Sequence, residues 1–395
     1  MARALEGLKV LDLTRVLAGP YATMILGDMG ADIIKIEAVK TGDDSRAFGP
    51  YVNGESAYFM SINRNKRSIT MNLKNPEAVK TFKEMVKKAD VVVENYRPGT
   101  MEKFGLGYDV LKELNPRLIY ASASGFGQTG PYSKRAAYDA VVQAMGGIMS
   151  ITGQEGGAPT RVGTSVGDIT AGLFCAIGIL GALCSRDKTG VGQMVDVAML
   201  DCQVAILENA IARYMVSGVS PKPQGNRHPS IVPFETFETS DGNIMVSAGN
   251  DKLWASFCRV IGREDMIDDP RFETNPKRFE NYKELRPMIE AETKKKPVAE
   301  WQKLLDDAGV PESPINNIEM VIKNPQVQAR DMIVEVDHPV AGPVKMPGIP
   351  IKLSGTPSEI RSAAPVLGAD TDEILKELLN MSDEDIAKLK ECGAV

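Results

Sequence analysis

The sequence predicts an α/β fold, with a large domain built on a parallel sheet and a smaller α+β domain beside it in the chain. Three observations carry this. Leu8–Leu13, Val91-Val92-Val93 and Leu118–Ala123 are apolar runs without strict alternation, the pattern of strands buried on both faces of a parallel sheet. Helical segments separate these runs, as a sheet covered by helices on both faces requires. From about residue 226 the pattern changes to a hairpin followed by charged helices.

Along the chain, the Leu8–Leu13 strand is followed by Tyr21–Met29, apolar at helical spacing, with Pro20 in the favoured first turn. Ile33–Ile36 is a second strand and Ser68–Leu73 a third. Asn75-Pro76 then opens a helix with Val79, Phe82, Met85 and Val86 on one face, an N-cap followed by proline at N1. After the Val91–Val93 strand come a short helix at Tyr108–Leu114 and the Leu118–Ala123 strand. Residues 137–184 read as helix, glycine-rich loop (146–167) and apolar helix, followed by a strand at Met194–Ala198 and a helix to about Tyr214. The expected division is 1–200 for the first part of the large domain, 201–225 for a linker and 226–325 for the small domain. Residues 326–395 would then return to the large domain. In the small domain, Phe234–Phe237, Asp241-Gly242 and Ile244–Ser247 predict a hairpin, and Ala299–Asp307 is one of its charged helices. Two strand signals flank Ala341-Gly342, and amphipathic helices are expected near 371–380 and 383–391.

The 395 residues carry 46 Lys+Arg and 52 Asp+Glu, a formal charge of −6. A nucleic-acid or membrane-surface binder needs a basic footprint, so neither partner is expected. Ala171–Cys184, the longest apolar stretch, is too short for a membrane span and reads as a buried helix. Five widely spaced cysteines and only two histidines, His228 and His338, offer no metal-ligand set. Free thiols and the lack of a signal-peptide pattern point to the cytoplasm.

Gly125-Phe126-Gly127-Gln128-Thr129-Gly130 matches the dinucleotide fingerprint by letter. Pro131 follows it, however, and no helix opens until about 137, so it reads as a chance match. Arg64, Lys66 and Arg67 cluster, as do Arg97, Lys103 and Arg135, and such runs are usually solvated faces. Asn95-Tyr96-Arg97 directly follows a strand, where open α/β sheets bind ligands, and an amide, an aromatic and a cation there suit a nucleotide with phosphates. Asp168, ahead of the apolar helix, reads as an N-cap carboxylate, and Asp139 reads similarly. His228 reads as a loop histidine.

Together these stretches resemble the class III CoA-transferase family, the formyl-CoA and carnitine-CoA transferase group, over essentially the whole chain. The resemblance is carried by Leu11–Pro20, Gly27–Asp32 leading to Lys35-Ile36-Glu37, Gly42–Arg46, Asn63–Ser68, Val93–Gly99 and Ser124–Pro131. Tyr138-Asp139 and Gly167-Asp168 complete it. Ser230–Pro233 and Pro314–Asn317 look most like the succinyl-CoA-dependent dicarboxylate transferases.

The resemblance implies a Rossmann-like large domain in an interlocked, ring-shaped homodimer. It also implies transfer of CoA from a short acyl-CoA, such as succinyl-CoA, to an organic acid. Acyl-CoA would be a substrate, with no permanently bound cofactor. Asp168 falls on the catalytic aspartate, which forms an aspartyl anhydride and then an aspartyl-CoA thioester. A helix N-terminus would keep that carboxylate ionised. CoA contacts carry over to Val16, Ala18, Met71, Asn95, Tyr96, Lys103 and Tyr138, and further to Arg97 and Arg135. Oxyanion donors are expected from the loops flanking Asp168, from the loop at Gly225–His228 and near Leu17. Formyl-CoA transferases carry glutamine where Leu17 stands, which points away from formyl or oxalyl substrates here. Ala38 stands where some relatives place a basic residue for the nucleotide. Arg46 is expected to anchor an acid substrate, since arginine grips carboxylates bidentately; its other reading is a loop salt bridge to Asp43 or Asp44. An α-methylacyl-CoA racemase of the same fold would need a Gly-His-Asp motif where this chain has Ala137-Tyr138-Asp139, and a tyrosine is a poor base at neutral pH. A catalytically silent CoA-binding protein is the remaining alternative, and the presence of Asp168 argues against it.

Overall fold

A computed structural model describes residues 2–395. The described residues divide into two compact units, one of residues 2–149, 161–219 and 326–395 and the other of 150–160 and 220–325. The segment 150–160, inside the stretch expected to be large-domain sequence, therefore groups with the second unit. The stretch expected to be a linker begins as helix, Met199–Ile206 and Glu208–Ser217, within the first unit.

The first unit is organised by six strands, β1 (Lys9–Asp12), β2 (Asp32–Glu37), β3 (Lys66–Thr70), β4 (Val91–Glu94), β5 (Ile119–Ser124) and β6 (Met194–Ala198), all parallel and ordered β3-β2-β1-β4-β5-β6. The order reverses between β1 and β4, and crevices at such switch points bind ligands in open α/β sheets. Alternation along each strand feeds two cores. Leu11, Ile34, Val92 and Tyr120 pack on one face with Phe82 of α2 (Pro76–Val86), while Val10, Ile33, Val93 and Ala121 pack on the other with α1 (Ala18–Asp28). Because both faces are covered, the central strand β4 is apolar at Val91, Val92 and Val93 in succession rather than alternating. The first face is completed from far along the chain by Ile374, Leu375, Leu378, Ile386 and Leu389 of the two C-terminal helices, Thr371–Leu379 and Asp383–Glu391. Asn75 caps α2 by accepting from the Glu77 N–H, with Pro76 at N1, as the sequence predicts.

Strand β3 starts before the predicted Ser68, at Lys66, because the cations at its start are partnered within the fold. Lys66 Nζ donates to Asp12 Oδ2 at 3.0 Å, Arg64 pairs with Asp28 at 2.7 Å and Arg67 pairs with Asp32 at 2.7 Å. The expected solvated face at Arg64–Arg67 is thus a set of carboxylate partners on the sheet side. The Gly125–Gly130 stretch is a loop, and the next helix, α3, spans Asp139–Met145, so the fingerprint has no helix N-terminus behind it.

The apolar helix, α4, runs over Val166–Thr189 and by length and hydropathy alone could cross a bilayer. Its inner face, Ala171, Cys175, Ala176, Ile179, Ala182 and Leu183, packs in the second core. Gly172 permits close approach to α1: a Cβ there would lie 2.7 Å from the Ala18 carbonyl oxygen.

In the second unit Phe234–Glu238 and Asn243–Ser247 form the predicted hairpin, and Glu312–Pro314 adds a third antiparallel strand. The turn closes through the Gly242 N–H donating to Thr239 Oγ1, 3.1 Å. Trp254, Phe257, Phe237 and Trp301 centre its core.

Candidate active site

The crevice beyond β1 and β4 is built from two loops that hold each other. Asn95, just past β4, accepts from the Arg15 N–H at 2.8 Å and donates from Nδ2 to the Arg15 carbonyl at 2.7 Å. Arg15 also lies over the Tyr96 ring, 5.2 Å from its centre, and pairs with Asp44 at 3.1 Å. Cations over aromatic faces and short polar loops at strand ends leave a rim suited to an anionic, ring-bearing ligand.

Two cavities meet along this rim at Arg15, Asp44 and Tyr96. The larger, about 850 Å³, is walled by Ile36–Asp44, Met71–Lys74, Thr100, Phe104 and Gly393. The smaller, about 170 Å³, is lined by Val16, Leu17, Ala18, Asn95, Arg97, Arg135, Tyr138 and Asp168. Most of the predicted CoA contacts therefore converge with Asp168 on one cavity, and Met71 lines the adjoining one. Lys103, at the end of the short helix Thr100–Lys103, lines neither. Arg135 lies over Tyr132, 4.8 Å to the ring centre. Tyr138 is 75% exposed and precedes α3, leaving its ring free toward the cavity.

Asp168 is not the N-cap of α4. Ser165 holds that position, and Asp168 sits within the first turn, as the third helical residue. Among the described residues nothing donates a hydrogen bond to its carboxylate. The first turn is held instead by Asp139, whose Oδ1 accepts the Gly167 N–H at 2.8 Å while Oδ2 accepts from Gln143 at 2.8 Å and Arg161 at 3.3 Å. Burial pushes the Asp168 carboxyl up to about 7, and the neighbouring charge of Asp139 pushes the same way. The helix N-terminus is expected to keep this group ionised; burial and the Asp139 charge both act against ionisation. Tyr58, which the sequence reading did not single out, belongs to this neighbourhood. Burial raises its pKa, and so do the charges of Asp168, Asp43 and Asp139.

Arg46 requires another correction. Its guanidinium grips Glu37 bidentately, with Nε to Oε2 and Nη2 to Oε1 both at 2.7 Å. It also donates to the Pro365 carbonyl and lies on Phe59 at 3.7 Å. Only 12% of the side chain is exposed, so the fork expected to hold a substrate acid is already engaged. Its partner is neither Asp43 nor Asp44. Glu94, at the end of β4, is a further carboxyl raised by burial: it is pushed up to about 7, although it accepts from the Tyr96 N–H at 2.8 Å. His228 Nδ1 accepts from the Ser230 and Ile231 N–H groups and its ring stacks on Phe234, a loop-organising role within the second unit.

A doubly wound sheet with a desolvated carboxyl facing an aromatic- and cation-lined crevice at its switch point defines an α/β enzyme that handles a nucleotide-bearing substrate. The profile for CoA-transferase family III matches residues 5–371. The human succinyl-CoA:glutarate CoA-transferase is 43% identical over 394 residues, covering 100% of this chain and 90% of that protein. The acetyl-CoA:oxalate CoA-transferase of Acetobacter aceti is 45% identical over 375 residues, 94% of this chain and 95% of that one. Among solved structures, a CAIB/BAIF family protein from Brucella suis superposes with a TM-score of 0.86 at 40% identity, covering 96% of this chain and 100% of that one. The chain belongs to CoA-transferase family III and is an enzyme of that class.

Proposed function

We propose that the protein transfers CoA from succinyl-CoA to a dicarboxylic acid, with Asp168 as nucleophile. The observation that carries this is the Asp168 carboxyl itself, desolvated, without a hydrogen-bond donor among the described residues and lining one cavity with Asn95, Arg97 and Tyr138. A carboxylate free of donors keeps its nucleophilicity, and a pKa near operating pH leaves a substantial ionised fraction. The donor and acceptor classes rest on the names of relatives: the human protein, and a 42% identical one from Agrobacterium fabrum named succinate–glutarate CoA-transferase.

In this reading the adenine-nucleotide end of acyl-CoA occupies the larger cavity. There Arg15, Lys40 and Lys74 supply the positive charge that Ala38 does not. The thioester reaches Asp168 past Tyr96 and Leu17. An Asp168 oxygen adds to the thioester carbonyl, and the carbon–sulfur bond breaks to release CoA thiolate, leaving a mixed anhydride. The thiolate then attacks the Asp168 carbonyl, expelling succinate and forming the aspartyl thioester. The incoming acid repeats the sequence in reverse: its carboxylate displaces the thiolate from Asp168, and the thiolate attacks the new anhydride at the acid's own carbonyl, freeing Asp168. Each step exchanges one acyl bond for another of similar energy, so no hydrolysis is needed.

The working unit in this reading is a homodimer of interlocked rings in the reducing cytoplasm. Apolar side chains left at the surface, among them Ile177 of α4 at 61% and Met215 and Val216 at 75% and 90%, support a partner chain. The five free thiols suit that compartment.

The test is trapping. Wild-type protein incubated with succinyl-CoA and hydroxylamine should yield a hydroxamate at Asp168, and Asp168→Ala should transfer CoA at below about a thousandth of the wild-type rate, because a covalent nucleophile contributes more than one general acid or base. Transfer surviving in the alanine variant would sink the assignment.

A further inference from the structure

Val16 is left-handed, φ 66°, a backbone conformation that a β-branched residue rarely adopts. It begins the Val16–Ala18 stretch of the cavity wall shared with Asp168. Something must hold it there. Bonds on three successive residues do. The Thr14 carbonyl accepts from Lys35 Nζ at 2.9 Å, Arg15 is clasped by Asn95, and the Val16 N–H donates to Asp43 Oδ1 at 3.0 Å.

Two of these anchors are one buried ion pair. Lys35 and Asp43 meet at 2.9 Å, and both side chains are fully excluded from solvent. The remaining acceptor capacity of Asp43 is met by the Ser45 N–H and hydroxyl at 2.9 and 2.8 Å. Asp43 is held ionised, well below the usual carboxylate range, by Lys35 and by these donors against the opposing effect of burial. A buried ion pair is weak evidence for stability, since apolar residues would fill the same space as well. Its geometry here does something apolar residues could not, because only an acceptor at Oδ1 can fix the Val16 amide.

We propose that Lys35–Asp43 is a positioning pair for the acyl-CoA crevice, holding Val16 left-handed and so fixing where Leu17 and Ala18 stand in the wall beside Asp168. Neither residue touches the reacting atoms. This rests on the crevice being the acyl-CoA site proposed above.

The test is a double-mutant cycle of Asp43→Ala, which removes the Oδ1 acceptor, and Val16→Gly, read by kcat/KM for CoA transfer from succinyl-CoA to glutarate, by the CoA dissociation constant from calorimetry, and by Tm. Glycine occupies the left-handed region without penalty and does not need to be held. With Val16 in place, Asp43→Ala should lower kcat/KM about tenfold or more, the scale of a released left-handed residue. In the Val16→Gly background the same change should cost less than about threefold, while its lowering of Tm is equal in both. An equal activity loss in both backgrounds, or no loss in either, overturns the proposal. If Asp43→Ala does not fold alone, Lys35→Met with Asp43→Ala replaces it in the cycle, since that pair leaves no unpartnered lysine charge buried there. If the wild type moves no CoA at all, the functional reading fails, and the same cycle read through CoA affinity still decides the positioning role.

Discussion

Replacing Asp168 by asparagine should abolish transfer and yet make the protein more stable at alkaline pH. The carboxyl ordinarily ionises near 3.8 and here near 7 because it is desolvated beside Asp139. A group whose folded pKa is raised above its unfolded value binds more protons when folded, and for an acid this means stability falls as pH rises between those two values. Above pH 7 the full cost would be about 4 kcal/mol at about 1.4 kcal/mol per pH unit, and the partial exposure of Asp168 screens it to about 2 kcal/mol. Asparagine matches the shape of the carboxyl and cannot ionise. The difference in stability between variant and wild type should therefore be about 2 kcal/mol, or a few degrees in Tm, at pH 8 and near zero at pH 4. Parallel denaturation of the two proteins at both pH values measures it. The same ionisation governs the nucleophile, so kcat/KM of the wild type should rise with pH to a plateau just above 7 and stand about a hundredfold below it at pH 5. A variant no more stable at pH 8, or a gain that persists unchanged at pH 4, would refute the argument that burial strains this carboxylate.

Arg46→Ala should destabilise the fold by about 3 kcal/mol, because Glu37 is left buried without the partner it now has. KM should then shift by one common factor for mono- and dicarboxylic acceptors, and a selective rise for dicarboxylates in steady-state assays would restore Arg46 as an acid anchor. Interlocked dimers separate only if a ring opens, so mass photometry at nanomolar concentration should detect dimer alone; a folded monomer growing in on dilution would leave an ordinary surface contact.

The sheet was legible because strands such as Val91-Val92-Val93, buried on both faces, have to be apolar at every position. The start of β3 was not, because Lys66 and Arg67 read as solvated until Asp12 and Asp32, more than thirty residues away in sequence, are brought beside them. Long-range pairing of this kind has no local signature. The same reason hid the Arg46–Glu37 clasp, where the sequence pointed to the adjacent Asp43 and Asp44. The position of Asp168 was legible through the resemblance, but its environment was not: Asp139 supplies both the hydrogen bond that holds the helix turn and part of the charge that raises the carboxyl, and neither follows from spacing. Val16 gave no signal at all, since positive φ is expected of glycine or asparagine.

One face of the six-stranded sheet is closed by helices that lie well over a hundred residues beyond its last strand. At a ribosomal rate of roughly 5–20 residues per second, the stretch from 219 to 389 takes roughly 10–30 s to emerge. Throughout that interval Leu11, Ile69, Phe82 and their neighbours lack the cover that Ile374, Leu375 and Leu389 later provide. The intervening second unit is a nearly continuous stretch of chain with its own core and has time to fold first. The nascent large unit is thus a half-covered sheet awaiting its last helices, the kind of transient apolar surface that holdase chaperones bind, and its yield in cells depends on that waiting time as much as on final stability.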